Sequence, residues 1–263
     1  MEYLKKRLLS KKLFDLPPEV KQLAPHPPSG AHHRGYSAPG REKVKQFRTD
    51  RVDIDDAQGA KPDDEVEILR DMKESFESGS ERNEGMPNIW YPDGVIPGFK
   101  ESCLDFYWTL YETEKHILRA IAVGLGIEEE FFVQYHSGGD NQLRLLHYPS
   151  IERALLKHAD SSRIPSHSDF CTLTILFQDS VGGLEVEDQH SRGKFIPVAP
   201  IPSSIVVNAG DFLMRWTNDV ILSTVHRVRT PIPSENDGDA QDIPDRYSIP
   251  YVGSVNDSDP AQR

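Results

Sequence analysis

The sequence predicts an α+β fold, mainly β: an antiparallel sandwich or jelly roll preceded by helical and irregular chain. Three observations predict it. The hydrophobic period is near 3.6 in the best segments of the first half and near 2 from Gln142 onward. Eight short apolar runs then follow one another with turn residues between them. No crossover helix fits between those runs, so the strands are expected to pair mainly antiparallel.

Taken in order, Glu2 to Phe14 reads as an amphipathic helix, with Tyr3, Leu4, Leu8, Leu9 and Leu13 at helical spacing. Leu16-Pro17-Pro18-Glu19 stops it and opens a short second helix through Val20 and Leu23. Residues 24–64 are rich in Pro, Gly, Ser, His and Asp and read as irregular, with some order around Arg34-Gly35-Tyr36. A polar run from Glu77 to Glu84 precedes the turn-rich Pro87-Asn88-Ile89-Trp90-Tyr91-Pro92. Phe99 to Leu125 is the strongest helix, with Leu104, Tyr107, Trp108, Tyr111, His116, Leu118, Ile121 and Ala122 as its stripe and Gly124 and Gly126 as stop signals. A short helix is expected over Ile127 to Tyr135. The strands are expected at Leu143–Tyr148, Leu173–Phe177, Leu184–Glu187, Phe195–Val198, Ile205–Val207, Phe212–Trp216, Val225–Thr230 and Tyr247–Val252. Gly182-Gly183 and Asn208-Ala209-Gly210-Asp211 read as hairpin turns. The resulting organisation is one domain: a helical and irregular region over 1–140, a β core over 141–253, and a tail over 254–263.

Length and composition narrow the function classes. With 263 residues the chain can bury one substantial core. The formal net charge of −12 argues against nucleic acid as a partner, because phosphate binding needs a basic surface. No run approaches the roughly 18–20 apolar residues that span a bilayer, and no apolar stretch follows the basic residues at the start, so neither a membrane partner nor a secretory signal is expected. Cys103 and Cys171 form no ligand pair and no disulfide framework, which suits a reducing, cytoplasmic interior. The expectation is a monomer acting on a small molecule.

The β region holds Ser166-His167-Ser168-Asp169, then Val225-His226-Arg227-Val228, then Arg246-Tyr247-Ser248. In an extended chain residues i and i+2 point the same way, so His167 and Asp169 can converge on one ion while His226 arrives from another strand. Two neutral imidazoles and one carboxylate are the donor set of the non-haem Fe(II) facial triad, which leaves positions open for co-substrate and O₂. The same donors also suit catalytic Zn²⁺, so the ligands alone leave the metal open. Arg246 and Ser248 share one face of the last strand, and together they match a carboxylate with a planar fork and a hydroxyl. A dicarboxylate bound to the metal through a 2-oxo acid would place its far end there, an anchor that a hydrolytic zinc site does not need.

These residues resemble the Fe(II)/2-oxoglutarate-dependent dioxygenases of the isopenicillin N synthase-like family. The resemblance is carried by Asn141 to Pro149, His167 to Thr174, Gly182 to Val186, Asn208 to Asp211, His226-Arg227-Val228 and Arg246 to Pro250, with Lys73 to Phe76 and Pro87 to Trp90 upstream. It runs from about residue 10 to residue 252 and implies a double-stranded β-helix (jelly roll) core with flanking N-terminal helices and the metal at its mouth. It implies His167, Asp169 and His226 as iron ligands, Arg246 and Ser248 at the distal carboxylate of 2-oxoglutarate, and Tyr148 as a further contact. Phe170, Leu184 and Trp216 are candidates to line the pocket, and Tyr36 to approach the substrate. Family members carry several dozen residues ahead of the point where this chain starts, so the chain reads as lacking an early strand, helix and strand. The expected activity is oxidation, by default hydroxylation, of a small organic metabolite with release of succinate and CO₂. Two other readings stay open: an oxidase of the same fold that uses no 2-oxoglutarate, and an inactive jelly-roll binding protein.

Overall fold

The computed structural model describes residues 2–28, 33–40, 43–44, 69–70, 73–152, 162–229 and 242–256. The chain runs α1 (Glu2–Phe14), α2 (Pro18–Lys21), β1 (Gly35–Ser37), β2 (Lys43–Val44), β3 (Leu69–Arg70), β4 (Glu74–Gly79) and α3 (Phe99–Gly124). A 3₁₀ turn (Val133–His136) then leads into β5 (Gln142–Tyr148), β6 (Ile151–Glu152), β7 (Ser162–His167), β8 (Leu173–Gln178), β9 (Leu184–Glu187), β10 (Phe195–Pro197) and β11 (Val206–Ala209). Last come α4 (Asp211–Trp216), β12 (His226–Arg229), β13 (Asp242–Ile243) and β14 (Arg246–Gly253). Most of the irregular stretch expected over 24–64, Thr230 and the tail beyond residue 256 lie outside the described residues.

Two antiparallel sheets form the body. The larger has the order β1-β4-β5-β14-β8-β11 and the smaller β10-β9-β12-β7. Directly opposed residues share a face, so register decides which side chains meet. On the outer face of the larger sheet Tyr247 pairs with His147 and His147 with Glu74, while Ile249 pairs with Phe177 and Tyr251 with Leu143 and Ile175. That face and the buried side of α3 make the main core, which also takes in Leu13 and Phe14 from α1. The opposite face looks toward the smaller sheet. There Leu146 and Tyr148 pack with Leu184 and Val228, with Ile164, Leu176 and Val198 around them. β14 is buried on both faces along most of its length, as expected of a central strand covered by helix on one side and sheet on the other.

Several expectations change. Phe212–Trp216 is helix, not strand: Met214 N donates to Gly210 O, and Phe131, Phe132, Tyr135 and Phe212 surround the Trp216 ring. Its apolar residues meet the period-2 template by composition only, because the segment is too short to show a helical period. β8 and β9 belong to different sheets, so Gly182-Gly183 carries the chain across the sandwich instead of closing a hairpin. Both glycines hold positive φ (82° and 87°), which side-chain-bearing residues rarely adopt. Asn208 to Asp211 likewise joins a strand to a helix. Ile127 to Tyr135 forms turns and only the 3₁₀ segment. In α3 the buried stripe is Phe99, Cys103, Phe106, Tyr107, Leu110, Tyr111, Glu114, Leu118 and Ala122, and His116 is exposed. Leu8 of α1 is exposed too.

Besides short two- and three-residue strands, the sequence reading misses two longer ones, β4 and β7, for a physical reason. β4 (Glu-Ser-Phe-Glu-Ser-Gly) is buried throughout, but only Phe76 is apolar. Its carboxylates are matched instead. Glu74 meets Lys21 Nζ and His147 Nδ1, each at 2.7 Å, and Tyr36 Oη at 2.5 Å. Glu77 meets Arg144 Nη2 at 2.7 Å and Gln142 Nε2 at 2.9 Å. His147, Lys21 and Tyr36 at Glu74, and Arg144 with His33 and Lys73 at Glu77, hold both carboxyls below their ordinary range despite burial. β7 carries Pro165 and two serines where an apolar run would mark a strand.

Candidate active site

β7 and β12 are neighbours in the smaller sheet, and His226 is directly opposite His167. The ring centroids are 4.3 Å apart. Asp169 follows in the loop after β7, and its Oδ1 lies 3.8 Å from Nε2 of each histidine. All three donor atoms lie within 4.8 Å of one another. Two donors that are each roughly 2.1 Å from a common ion sit at most roughly 4.2 Å apart, so the 3.8 Å separations fit one metal.

Hydrogen bonds set the state of each donor. His167 Nδ1 donates to Pro165 O at 2.9 Å, and His226 Nδ1 donates to Thr224 O at 3.1 Å. A carbonyl only accepts, so the proton sits on Nδ1 and the Nε2 lone pair faces the site. Burial, reinforced by the neighbouring His226, pushes the His167 pKa down, which favours the neutral imidazole a metal requires. Asp169 Oδ2 accepts from Thr174 Oγ1 (2.8 Å) and Asn208 Nδ2 (3.0 Å), which leaves Oδ1 turned to the histidines.

The Asn208 to Asp211 segment makes contacts with the Asp169 loop that a turn reading misses. Asp211 N donates to Asp169 O at 2.7 Å, Gly210 N to Thr172 O at 3.0 Å, and Ser168 Oγ to Asp211 Oδ2 at 2.9 Å. The segment therefore clamps the ligand loop. A Cβ on Gly210 would collide with Cys171 O and fall 2.9 Å from Asp169 O, so only glycine fits.

Across the sandwich, Arg246 faces Tyr148 in the β14–β5 ladder, and Ser248 faces Leu146. Arg246 is 1% exposed. Its Nε donates to Gly182 O at 2.8 Å and its Nη1 to Ser248 Oγ at 3.2 Å, and its guanidinium carbon is 4.8 Å from the centre of the Tyr148 ring. The Gly182-Gly183 turn thus orients the arginine. The arrangement sets three convergent donors that could hold a metal on one sheet and a buried guanidinium that could take a carboxylate on the facing one.

Among the pocket candidates, Leu184 lies in the inner apolar cluster and Phe170, next to Asp169, is 88% exposed. Trp216 packs in the outer core. Tyr36 does not approach the site: it is buried and its hydroxyl is committed to Glu74 on the helix-covered face. A second cluster, His26, His33 and Glu77, has a metal-like spacing. There Glu77 is already matched by Arg144, whose fixed charge competes with a cation at the same carboxylate.

A jelly roll with two histidines and a carboxylate at its mouth and a buried arginine beyond defines the class of Fe(II)-dependent oxygenases that take a 2-oxo acid as co-substrate. Residues 139–253 match the model of the 2OG-Fe(II) oxygenase superfamily. The chain is 41% identical over 251 residues to the 2-oxoglutarate-Fe(II) type oxidoreductase ppzD of Metarhizium majus, covering 94% of this chain and 69% of that protein. It is 41% identical over 245 residues to the proline hydroxylase buaE of Petromyces alliaceus, covering 93% and 70%. Among solved structures, a full-length Neurospora crassa protein in complex with alpha-KG superposes with a TM-score of 0.81 at 40% identity, over 97% of this chain and 72% of that one. The chain belongs to the 2OG-Fe(II) oxygenase superfamily. It is a 2-oxoglutarate-dependent oxidoreductase that uses Fe(II) and O₂.

Proposed function

We propose that His167, Asp169 and His226 hold the iron, that Arg246 and Ser248 hold the distal carboxylate of 2-oxoglutarate with Tyr148 beside them, and that the enzyme hydroxylates a small organic metabolite. The observation that carries this is the pairing of three convergent donors with a buried arginine on the facing sheet. When bound, the iron with 2-oxoglutarate and O₂ supplies an oxidant able to break an unactivated C–H bond, with succinate and CO₂ released.

The protein's own residues supply the rest. Pro165 O and Thr224 O keep the histidines in the ligating tautomer, and Thr174 and Asn208 keep one Asp169 oxygen out of the site. Arg246 sets the depth and direction of the 2-oxo acid by gripping its far end, and Tyr148, Leu146, Leu184 and Val228 keep water from that end. The exposed Phe170 is part of the loop that carries Asp169 and is free to meet a substrate. A proline hydroxylase among the relatives, and thymine bound in the Neurospora crassa one, support a small amino-acid-like or heterocyclic substrate. Two buried cysteines that form no disulfide support a reducing, cytoplasmic setting, and a monomer is part of the same reading. Among the described residues no helix is long and apolar enough to cross a membrane.

A succinate-release screen over free amino acids, nucleobases and small peptide-derived metabolites tests the proposal. One compound should stimulate succinate formation in step with its own oxidation. Substrate oxidation without succinate would favour an oxidase of the same fold.

A further inference from the structure

Arg163 is a buried cation that the iron and Arg246 sites leave unexplained. It lies on β7, four residues before His167, and is 1% exposed. Its Nη2 donates to Pro149 O, and Nε and Nη1 have no partner among the described residues. Its guanidinium carbon is 5.4 Å from the centre of the Tyr148 ring, the same ring that Arg246 approaches at 4.8 Å. One phenol therefore carries two buried guanidiniums.

Neither arginine makes an ion pair among the described residues. The nearby acids are engaged elsewhere: Asp179 accepts from Tyr247 N and Val181 N, and Asp245, half exposed, from His147 and Ser150 N. A buried charge without a partner is costly, and like charges side by side raise the cost. Burial disfavours the charged form of Arg163, and the charge of Arg246 adds to this, against the opposing pull of Tyr148 and of Asp245 and Asp179 farther off. Such an arrangement persists when the site is shaped for an anion that arrives with the ligand.

We propose that Arg163 is a positioning and specificity residue of the 2-oxo acid pocket: it fixes Tyr148 and adds a second positive charge behind the distal-carboxylate site, so that the enzyme selects a dicarboxylic 2-oxo acid over one with a neutral tail. This rests on the assignment of Arg246, Ser248 and Tyr148 to that carboxylate. Arg246 provides the hydrogen-bonding fork, and Arg163 provides field and geometry through the shared ring. The pair also accounts for the low exposure of both arginines, since each is useful only where water does not screen it.

The test is an anaerobic titration of the Fe(II)-loaded full chain with 2-oxoglutarate and, separately, with 2-oxopentanoate, which has the same length and no distal carboxylate. Arg163→Met fills similar volume without charge. The expected result is a 2-oxoglutarate Kd raised about tenfold (about 1.4 kcal/mol), with 2-oxopentanoate affinity unchanged and ligand-free thermal stability equal to or above the parent. Arg163→Lys, which keeps the charge, should restore most of the preference for 2-oxoglutarate and serves as the test if Arg163→Met does not fold. An unchanged 2-oxoglutarate Kd, or a parallel weakening of both acids, would overturn the proposal. Failure of the underlying assignment looks different: the parent chain itself would show no preference between the two acids, or Arg246→Ala would leave 2-oxoglutarate affinity intact.

Discussion

His167 and His226 are directly opposed across the β7–β12 ladder, with ring centroids 4.3 Å apart, and each sends its Nδ1 proton to a backbone carbonyl two residues before it. The same i−2 bond on both strands turns both Nε2 atoms inward. Backbone, not side chain, therefore fixes the Nδ1–H tautomer that metal binding through Nε2 would need, and substitutions of other side chains can leave it intact.

Removing a ligand should consequently be severe and specific. His226→Ala is expected to lower Fe(II) affinity by more than about 100-fold, beyond the roughly 10–100-fold typical of losing an outer-shell partner. Equilibrium dialysis against Fe(II) measures it, and unchanged thermal unfolding of the metal-free protein would separate ligand loss from misfolding.

The support of Asp169 should be worth less. Asn208→Ala removes one of two hydrogen bonds to Oδ2 and is expected to weaken iron binding about 10–100-fold. Gly210→Ala should cost more than that in stability, because its Cβ would collide with Cys171 O. A Gly210→Ala protein with the parent's unfolding midpoint and iron affinity would contradict the clamp.

Arg246→Ala should act on the co-substrate alone. Truncating one partner of a buried charge contact costs about 2–5 kcal/mol, so the KM for 2-oxoglutarate should rise by more than an order of magnitude while Fe(II) affinity stays near the parent's. Steady-state succinate formation against 2-oxoglutarate concentration measures it.

Glu114 gives a pH signature. It is fully buried under the sheet, and burial raises its pKa from 4.5 to about 8. Its Oε2 accepts from Asn141, and His136 Nε2 lies 4.0 Å from Oε1. Lys115 and the phenols of Tyr107 and Tyr251 also bear on the cluster. A carboxyl with a raised folded pKa binds its proton more tightly in the fold, so its contribution to stability falls as pH rises from 4.5 to about 8 and is flat above. Glu114→Gln removes that loss. The variant's stability relative to the parent should climb across this window at about 1.4 kcal/mol per pH unit at most. Urea midpoints at acid, neutral and alkaline pH check it, and a difference independent of pH would refute it.

The residues of the candidate site were easier to single out in the sequence than the fold around them. Arg-x-Ser lies on one strand, as alternation predicts, whereas in His-x-Asp only His167 is on its strand and Asp169 reaches the histidines from the loop that follows. Resemblance to a known family suggested their roles. The structure adds what spacing cannot carry: the Asn208 to Asp211 clamp and the Gly182 carbonyl that holds Arg246. β4 and β7 were hidden because their burial is satisfied by ion pairs and local hydrogen bonds instead of an apolar run. The segment Phe212–Trp216 misled because a pentapeptide with four apolar residues is too short to show a period of its own. Arg163 was invisible for a related reason: nothing in Ser162-Arg163-Ile164 marks a charge as buried.

If His167, Asp169 and His226 hold one iron and Arg246 anchors the 2-oxoglutarate bound to it, anaerobic addition of Fe(II) and then 2-oxoglutarate should give a visible metal-to-ligand charge-transfer band. The band should saturate at about one equivalent of iron, disappear in His226→Ala and need far more 2-oxoglutarate in Arg246→Ala. A folded parent chain without the band, or a His226→Ala protein that keeps it, would overturn the assignment of these residues.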